Sequence, residues 1–188
     1  FLARLEVEDG TIDYANLKTK QNVQLTHLDA TIRDFSLDKP FPVNLDAAWG
    51  GGKKNVSFNG KIGPIAAKDQ KIALNGDLKL NAMPFSDMAK LPSMASFLPK
   101  TLELDGSLDS LVRLEGNLEN LNINADLNGN NSVIVYNQIY EKPKGMPLKI
   151  TSQIHYANDS IELQKANLKL AAIDIEGKGS IHLGKALT

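Results

Sequence analysis

The sequence contains no cysteine, which excludes disulfide bridges, thiolate metal sites and a cysteine nucleophile. It also lacks a run of about 18 apolar residues, the length that a transmembrane helix requires. An excess of charge of one sign is missing too, because 21 basic and 22 acidic residues give a formal net charge of −1. This balance offers no electrostatic basis for binding nucleic acid or an anionic membrane surface. We therefore expect no nucleic-acid partner.

Residues with the spacing of a metal or catalytic site are also missing. His27, His155 and His182 are far apart in the sequence and belong to no metal-ligand motif. No cluster of polar residues has the pattern of a nucleophile with its base. We predict a non-catalytic protein with no metal site and no cofactor.

The start of the sequence has the pattern of a strand interior. Residues 1–5 read FLARL, no signal peptide precedes them, and no methionine begins the chain. We expect residues 1–188 to form a single domain that is a fragment of a longer protein.

Strict alternation of apolar and polar residues is the dominant pattern. Leu74 and Leu78 share one face of a predicted strand, while Asn75, Asp77 and Lys79 share the other. Such strands are typical of antiparallel sheets with one face in water. We predict a mainly β fold with strands at 3–8, 11–18, 22–37, 42–50, 54–63, 71–81, 101–109, 111–118, 120–128, 132–140, 147–157, 160–171 and 172–184.

Turn signals separate these runs. Asp9-Gly10 is a hairpin signature between two short apolar runs. Gly50-Gly51-Gly52, residues 128–131 and Asn158-Asp159 predict further turns.

Residues 83–99 lose the alternation and gain helix formers. Ser86 and Ser93 have the character of N-caps, and Pro92 and Pro99 would end each helix. We predict one or two short helices around 84–98, either as a plug that closes the sheet or as a lid over a ligand.

A glycine recurs in phase with the apolar residues, at Gly60, Gly76, Gly106, Gly116 and Gly177. Glycine on the inner face allows a sheet to curve, and the alternative is that these glycines lie at bulges. Either reading predicts a large curved antiparallel sheet that forms a U-shaped groove. The predicted lining consists of the in-phase apolar residues Val56, Phe58, Ile62, Ile72, Leu74, Leu78, Leu102, Leu104, Leu108, Leu114, Leu118, Ile173, Ile175 and Ile181.

An open sheet of roughly thirteen strands exposes more apolar surface than monomers tolerate. Such a sheet must close, fold into two layers or be filled by something else. Acyl chains of a lipid would fill it, which makes a phospholipid or another acyl-chain lipid the expected ligand.

Several stretches resemble the AsmA-like family of envelope proteins. Residues 7–14 (VEDGTIDY) match its dGxIxy hairpin, residues 25–43 end in its pFpv strand, and residues 55–63 (NVSFNGKIG) match its nixlxGxiG strand. Residues 104–116 (LDGSLDSLVRLEG), after the predicted helices, are also similar to the family, and the resemblance covers most of the chain. It implies a periplasmic β-groove, tethered to the inner membrane by a segment outside this sequence, that serves outer-membrane assembly or phospholipid transport. The family is not known for enzymes.

Together these expectations define a non-catalytic lipid-binding or lipid-transfer module. The alternative is a structural or adhesive β-solenoid, or an interaction domain, without a lipid ligand. Edge strands near residues 2–7 and 173–183 would carry unpaired backbone groups, so we also expect self-association through them.

Overall fold

Long strands follow from the period-two alternation, and the computed structural model describes them for residues 2–16, 21–50, 52–65, 72–89, 98–157 and 160–182. One five-residue helix, α1 (Phe85–Ala89), lies where helices were predicted. The second predicted helix falls on residues 90–97, outside the described residues. The strands are β1 (Leu2–Asn16), β2 (Gln21–Phe35), β3 (Phe41–Trp49), β4 (Val56–Gly63), β5 (Ala73–Pro84), β6 (Leu102–Asn117), β7 (Asn120–Asn128), β8 (Ser132–Tyr136), β9 (Tyr140–Lys142), β10 (Leu148–Ala157), β11 (Ser160–Leu170) and β12 (Ile173–His182).

The twelve strands form one large antiparallel sheet. Ten of them lie side by side in the order β1-β2-β3-β4-β5-β6-β7-β10-β11-β12. The long strand β6 connects this sheet to a side hairpin, because its first half pairs with β8 and its second half with β7. Strand β9 pairs with β8. The edge strands β1 and β12 do not pair with each other, so the sheet is open and the predicted mainly β, antiparallel class is confirmed.

The predicted hairpin at Asp9-Gly10 is wrong. Strand β1 continues through both residues, and its register to β2 shifts between Val7 and Gly10. Asp9 adopts a left-handed conformation with φ 51°. The signature marks a β-bulge, which needs the same left-handed residue as a tight hairpin turn.

Two strand boundaries also differ from the prediction. The predicted break at residue 110 does not exist, because β6 is continuous from Leu102 to Asn117. The predicted strand 132–140 is instead the two strands β8 and β9, separated by a turn at Asn137 and Gln138, where φ is positive.

Side chains on neighbouring strands bind the backbone of three left-handed residues. Asp29 Oδ1 accepts a hydrogen bond from the N–H of Asp9 at 3.0 Å, and Asp109 Oδ1 accepts one from the N–H of Ala82 at 2.8 Å. Asn75 Oδ1 accepts from the N–H of Gly116 at 3.1 Å, in the same way. These bonds satisfy amides at positions where the left-handed backbone leaves the regular strand geometry.

Asp29 carries more than this one bond. Lys54 Nζ contacts its Oδ2, and His27 Nδ1 lies 2.7 Å from Asp9 Oδ1 beside it. The pKa of Asp29 lies below its ordinary value. The largest cause is the hydrogen bond from the Asp9 backbone, and the next largest is the hydrogen bond from Lys54. The polar cluster therefore holds the bulges of β1 and β2 together.

Fully buried apolar side chains are few among the described residues, and they form two groups. The first lies on β2 and β3, where Phe35 and Phe41 approach to 4.9 Å between ring centroids. The second, here called the closed corner, joins the end of β5, the middle of β6 and the start of β10. The buried apolar residues are Leu28, Phe41, Val43, Ala47 and Ala48 in the first group, and Met83, Leu108 and Leu148 in the closed corner.

A lysine is buried at the closed corner. Lys142 is fully buried, and its Nζ donates to the carbonyl oxygen of Ser132 at 2.7 Å. The carbonyl oxygens of Pro143 and Asn130 lie at 3.4 and 3.5 Å. Because carbonyl oxygens alone hold this ammonium group among the described residues, burial lowers its pKa below the ordinary value.

Candidate functional site: the apolar sheet face

The strand registers align apolar residues in rows that cross the whole ten-stranded sheet. Residues directly opposite each other in an antiparallel pair lie on the same face. Phe58 lies opposite Leu45 on one side and Leu78 on the other, and Leu78 lies opposite Val112. The complete first row is Val7, Ala30, Leu45, Phe58, Leu78, Val112, Ala125, Ser152, Ala166 and Gly177.

A second row runs beside the first and also crosses all ten strands. It contains no polar side chain, and it passes through the directly paired glycines Gly60 and Gly76. The two rows define what we call the apolar face. The second row is Leu5, Ile32, Val43, Gly60, Gly76, Leu114, Ile123, Ile154, Leu163 and Gly179.

Most of this face is half-buried rather than buried. Of the two rows only Val43 is buried, and the residues on β1 and β12 are exposed. The whole chain exposes 12636 Å². A compact monomer of this mass exposes about 8,900 Å² by the usual area–mass relation. The exposed area is therefore larger than that of a globular fold of this mass, and the half-buried apolar rows contribute to it.

The opposite face is polar along the same strands. Strand β7 alternates strictly, with exposed Asn122, Asn124 and Asp126 between half-buried neighbours. Arg113 Nε donates to Asp77 Oδ1 at 3.2 Å across this face. Depressions on it are lined by mixed polar groups, among them Lys79 with Asp109 and Asn59 with Arg113. This face suits water and ions, and Leu111 is an apolar side chain that lines one of its depressions.

Most predicted lining residues lie on the side of the sheet that carries the two rows. Phe58, Leu78 and Leu114 belong to the rows, and Val56, Ile62, Leu74, Ile173, Ile175 and Ile181 lie on the same side by register. Leu108 is buried in the closed corner, with 2 % exposed.

Four predicted residues lie off the ten-stranded sheet or at its margin. Leu102 and Leu104 lie opposite β8, on the part of β6 that leaves the main sheet. Ile72 precedes β5 and Leu118 follows β6, and the Leu118 N–H donates to the Ile72 carbonyl oxygen at 3.3 Å. These two residues therefore lie at the margin of the sheet.

The sequence prediction missed row residues on strands without an in-phase glycine. Leu45, Ile123, Ile154 and Leu163 lie in the rows but were not assigned to the lining. Alternation alone could have identified Ile123, since β7 alternates at every position.

The in-phase glycines serve two different geometries. A Cβ at Gly76 would lie 2.7 Å from the Gly60 Cα and 3.0 Å from the Phe58 ring, so this pair leaves room for the Phe58 side chain. Gly106 and Gly116 instead have φ of 77° and 137°, which other residues rarely adopt. The left-handed backbone requires glycine at these two positions, and the strand pairing shows no register shift at either.

The class that the fold defines is an open, largely single-layer antiparallel β-sheet with one continuous apolar face. Within the described ranges no set of three potential metal ligands comes together, and no helix has the length and hydropathy to cross a membrane. Comparison of the chain with protein-family models, curated proteins and solved structures finds no match.

Proposed function

We propose that the apolar face binds the acyl chains of lipids, and that the protein is a non-catalytic lipid-binding or lipid-transfer module. The observation that carries the proposal is the pair of apolar rows that cross ten strands with their side chains only half-buried. Covering apolar surface stabilises by about 25 cal/mol per Å², so each 100 Å² covered by an acyl chain contributes roughly 2.5 kcal/mol.

The rows suit a sliding ligand better than a fixed one. Neighbouring strands lie about 4.8 Å apart, so ten strands give a path of roughly 43 Å along the sheet. No charged side chain interrupts either row. Successive aliphatic contacts are therefore nearly equivalent. An acyl chain can move along the rows because no deep energy minimum holds it at one position. Polar head groups would stay at the rim, in water.

Membership of the AsmA-like family, a periplasmic location and a tether outside this sequence form part of the proposal. Each family motif coincides with a structural feature of the sheet, which supports the proposal. The dGxIxy motif contains the Asp9 bulge, the pFpv motif places buried Phe41 and Val43 in β3, and the nixlxGxiG motif contains Phe58 and Gly60. The proposed role is outer-membrane assembly or phospholipid transport.

Photo-cross-linking at adjacent positions on opposite faces tests the proposal. A photoreactive phenylalanine analogue replaces Leu78 or Ile123 on the apolar face, and Lys79 or Asn124 on the polar face serves as the matched control. We expect irradiation in bacterial cells to yield lipid adducts by mass spectrometry at Leu78 and Ile123 only.

Equal lipid labelling of both faces would contradict an ordered lipid site. Protein adducts without lipid at Leu78 and Ile123 would favour the alternative, an interaction domain without a lipid ligand.

Binding in solution gives a second test with the same matched positions. Ile123→Glu places a carboxylate among the rows, whereas Asn124→Glu places it in water on the same strand. We expect Ile123→Glu to reduce binding of a fluorescent fatty acid at least tenfold and Asn124→Glu to leave it unchanged. Circular dichroism checks that both variants keep the strand content.

A further inference from the structure

The apolar face differs between the two ends of strands β6, β7 and β10. One end is the closed corner, where Leu108 and Leu148 are 2 % and 5 % exposed. At the other end the three strands finish together, and Leu118 in the turn that follows β6 is 57 % exposed. We call this second end the open end, and it is defined by the paired residues Asn117, Asn120 and Ala157.

Both leucines of the closed corner lie on the apolar side of the sheet. Residues an even number of positions apart on a strand share a face. Leu108 stands in this relation to Leu114 of the second row, and β6 pairs with β7 without a register shift. Leu148 stands in the same relation to Ile154, and the pairing of β10 with β7 is also regular. The closed corner therefore bounds the apolar face at one end.

The closed corner is tightly packed and offers no free polar group. A Cβ at Gly129 would lie 2.5 Å from Leu148 Cδ2 and 3.2 Å from Leu108 Cδ2, so even one added carbon lacks room. Every buried side-chain polar atom among the described residues already has a hydrogen-bond partner. A lipid head group placed here would lose its water and find no partner, whereas the methyl end of an acyl chain needs none.

The distance between the two ends is long enough for an acyl chain. From Leu148 to Tyr156, β10 extends roughly 27 Å at about 3.4 Å per residue. The acyl chains of one leaflet span about 15 Å, half of a hydrocarbon core of about 30 Å. On β7, Leu127 lies opposite Ile150 near the closed corner, and Leu121 lies opposite Tyr156 at the open end. A chain that lies along these strands can therefore contact apolar side chains over its whole length.

We propose that lipids bind in a single orientation, with the methyl end of each acyl chain toward the closed corner and the head group at the open end. Tyr156 lies on the apolar side at the open end, and a tyrosine suits a boundary between apolar surface and water. Each lipid then moves along the rows from strand to strand while its head group stays in water. This inference rests on the proposed lipid binding and adds the direction in which the ligand lies.

Two photoreactive forms of hexadecanoic acid test the orientation, one with a diazirine near the methyl end and one with a diazirine near the carboxyl end. After irradiation with the purified protein, we expect mass spectrometry to find at least fivefold more methyl-end label on Leu127 and Ile150 than on Leu121 and Tyr156. The carboxyl-end form should give the reverse ratio.

The two ways in which this experiment can fail are distinguishable. Equal labelling of both ends by each form, or the opposite ratios, would overturn the orientation and leave lipid binding in place. If neither form labels the apolar face, the proposed lipid binding is wrong, and the orientation is wrong with it.

Lysine substitutions at the two ends of β7 give a second test, because Leu127 and Leu121 are both half-buried on the apolar side. The ammonium group of Leu127→Lys would meet the methyl end, so we expect it to weaken binding of hexadecanoic acid at least tenfold. The ammonium group of Leu121→Lys would meet the carboxylate and should leave binding unchanged or tighten it. An equal or larger loss for Leu121→Lys would overturn the orientation. Circular dichroism checks the strand content, and if Leu127→Lys does not fold, the labelling ratios on the unaltered chain decide.

Discussion

The closed corner and the open edge strand β12 use the same alternating sequence pattern with opposite results. At the corner Met83, Leu108 and Leu148 are almost fully buried, with a lysine enclosed beside them. On β12 Ile173 and Ile175 are each 54 % exposed. The corner is buried because β8 and α1 add neighbours to β6 beyond the ten-stranded sheet. Burial at the corner therefore depends on elements from outside the ten strands, whereas β12 has no such neighbour among the described residues.

The largest expected difference in the free energy of unfolding is between two glycine-to-valine substitutions, one near the closed corner and one on β12. Gly106→Val forces a branched side chain onto a backbone with φ 77° and against the Asn131 carbonyl oxygen. We expect a loss of about 3 kcal/mol or more in the free energy of unfolding. Gly179→Val on β12 meets nothing within 4 Å, and we expect a change within about 0.5 kcal/mol. Urea unfolding of both variants measures the contrast, and similar losses would refute it.

Truncation of an aliphatic side chain should show the next largest contrast. Leu108 is 2 % exposed, so Leu108→Ala removes buried contacts and should cost about 2–4 kcal/mol. Ile175→Ala on the edge strand should cost less than about 1 kcal/mol, since the side chain is 54 % exposed. Chemical denaturation of dilute samples checks this comparison, and a larger loss for Ile175→Ala would show that β12 is covered.

A smaller effect is expected from the bulge near the corner. Asp109→Ala removes the acceptor of the Ala82 N–H, and we expect a loss of about 1 kcal/mol. Asp126→Ala, on the neighbouring strand β7, removes a carboxylate that binds no backbone amide among the described residues. In thermal unfolding we expect a lower melting temperature for Asp109→Ala than for Asp126→Ala. The reverse order would mean that the Asp109 carboxylate does not hold the bulge.

The smallest effect should be a difference in pH dependence. Burial lowers the pKa of Lys142, so the folded chain loses this proton at a lower pH than the unfolded chain, whose ordinary value is 10.5. The unfolded state then binds more protons in that window, and stability attributable to Lys142 rises as the pH increases toward 10.5 and is lost as the pH falls through the folded value. Lys142→Met should lack this rise.

Urea titrations between neutral and alkaline pH compare Lys142→Met with Lys178→Met, which removes an exposed lysine of β12. If the rise in stability at alkaline pH persists in Lys142→Met and disappears in Lys178→Met, the rise does not come from the buried lysine and the prediction is wrong.

The sequence was sufficient for the strand phase and for part of the apolar face. Leu74, Leu78 and Leu114 follow from alternation, because a strand with one wet face must place every second residue inward. The bulge at Asp9-Gly10 could not be distinguished from a hairpin, because both require a left-handed residue and only the register to β2 separates them.

The closed corner was beyond the sequence pattern for a different reason. The pairing of β6 with β8 joins Leu102 to Tyr136 across an intervening strand, and alternation carries no information about partners. The burial of Lys142 follows from that pairing, so a lysine in a short polar segment gave no sign of its enclosure.

The strand order has a consequence for how the chain folds. From β1 to β7 every strand pairs with its immediate successor, and only the β8–β9 hairpin interrupts the sequence before β10. Pairing is therefore mostly between strands that follow each other in the sequence, and each new pair closes only one connecting loop. Each arriving strand can add to an edge that already exists, so the sheet can assemble in the order in which the chain is delivered. An edge strand that has not yet paired with the next strand is prone to aggregate. The rate of chain synthesis therefore affects the yield of folded protein.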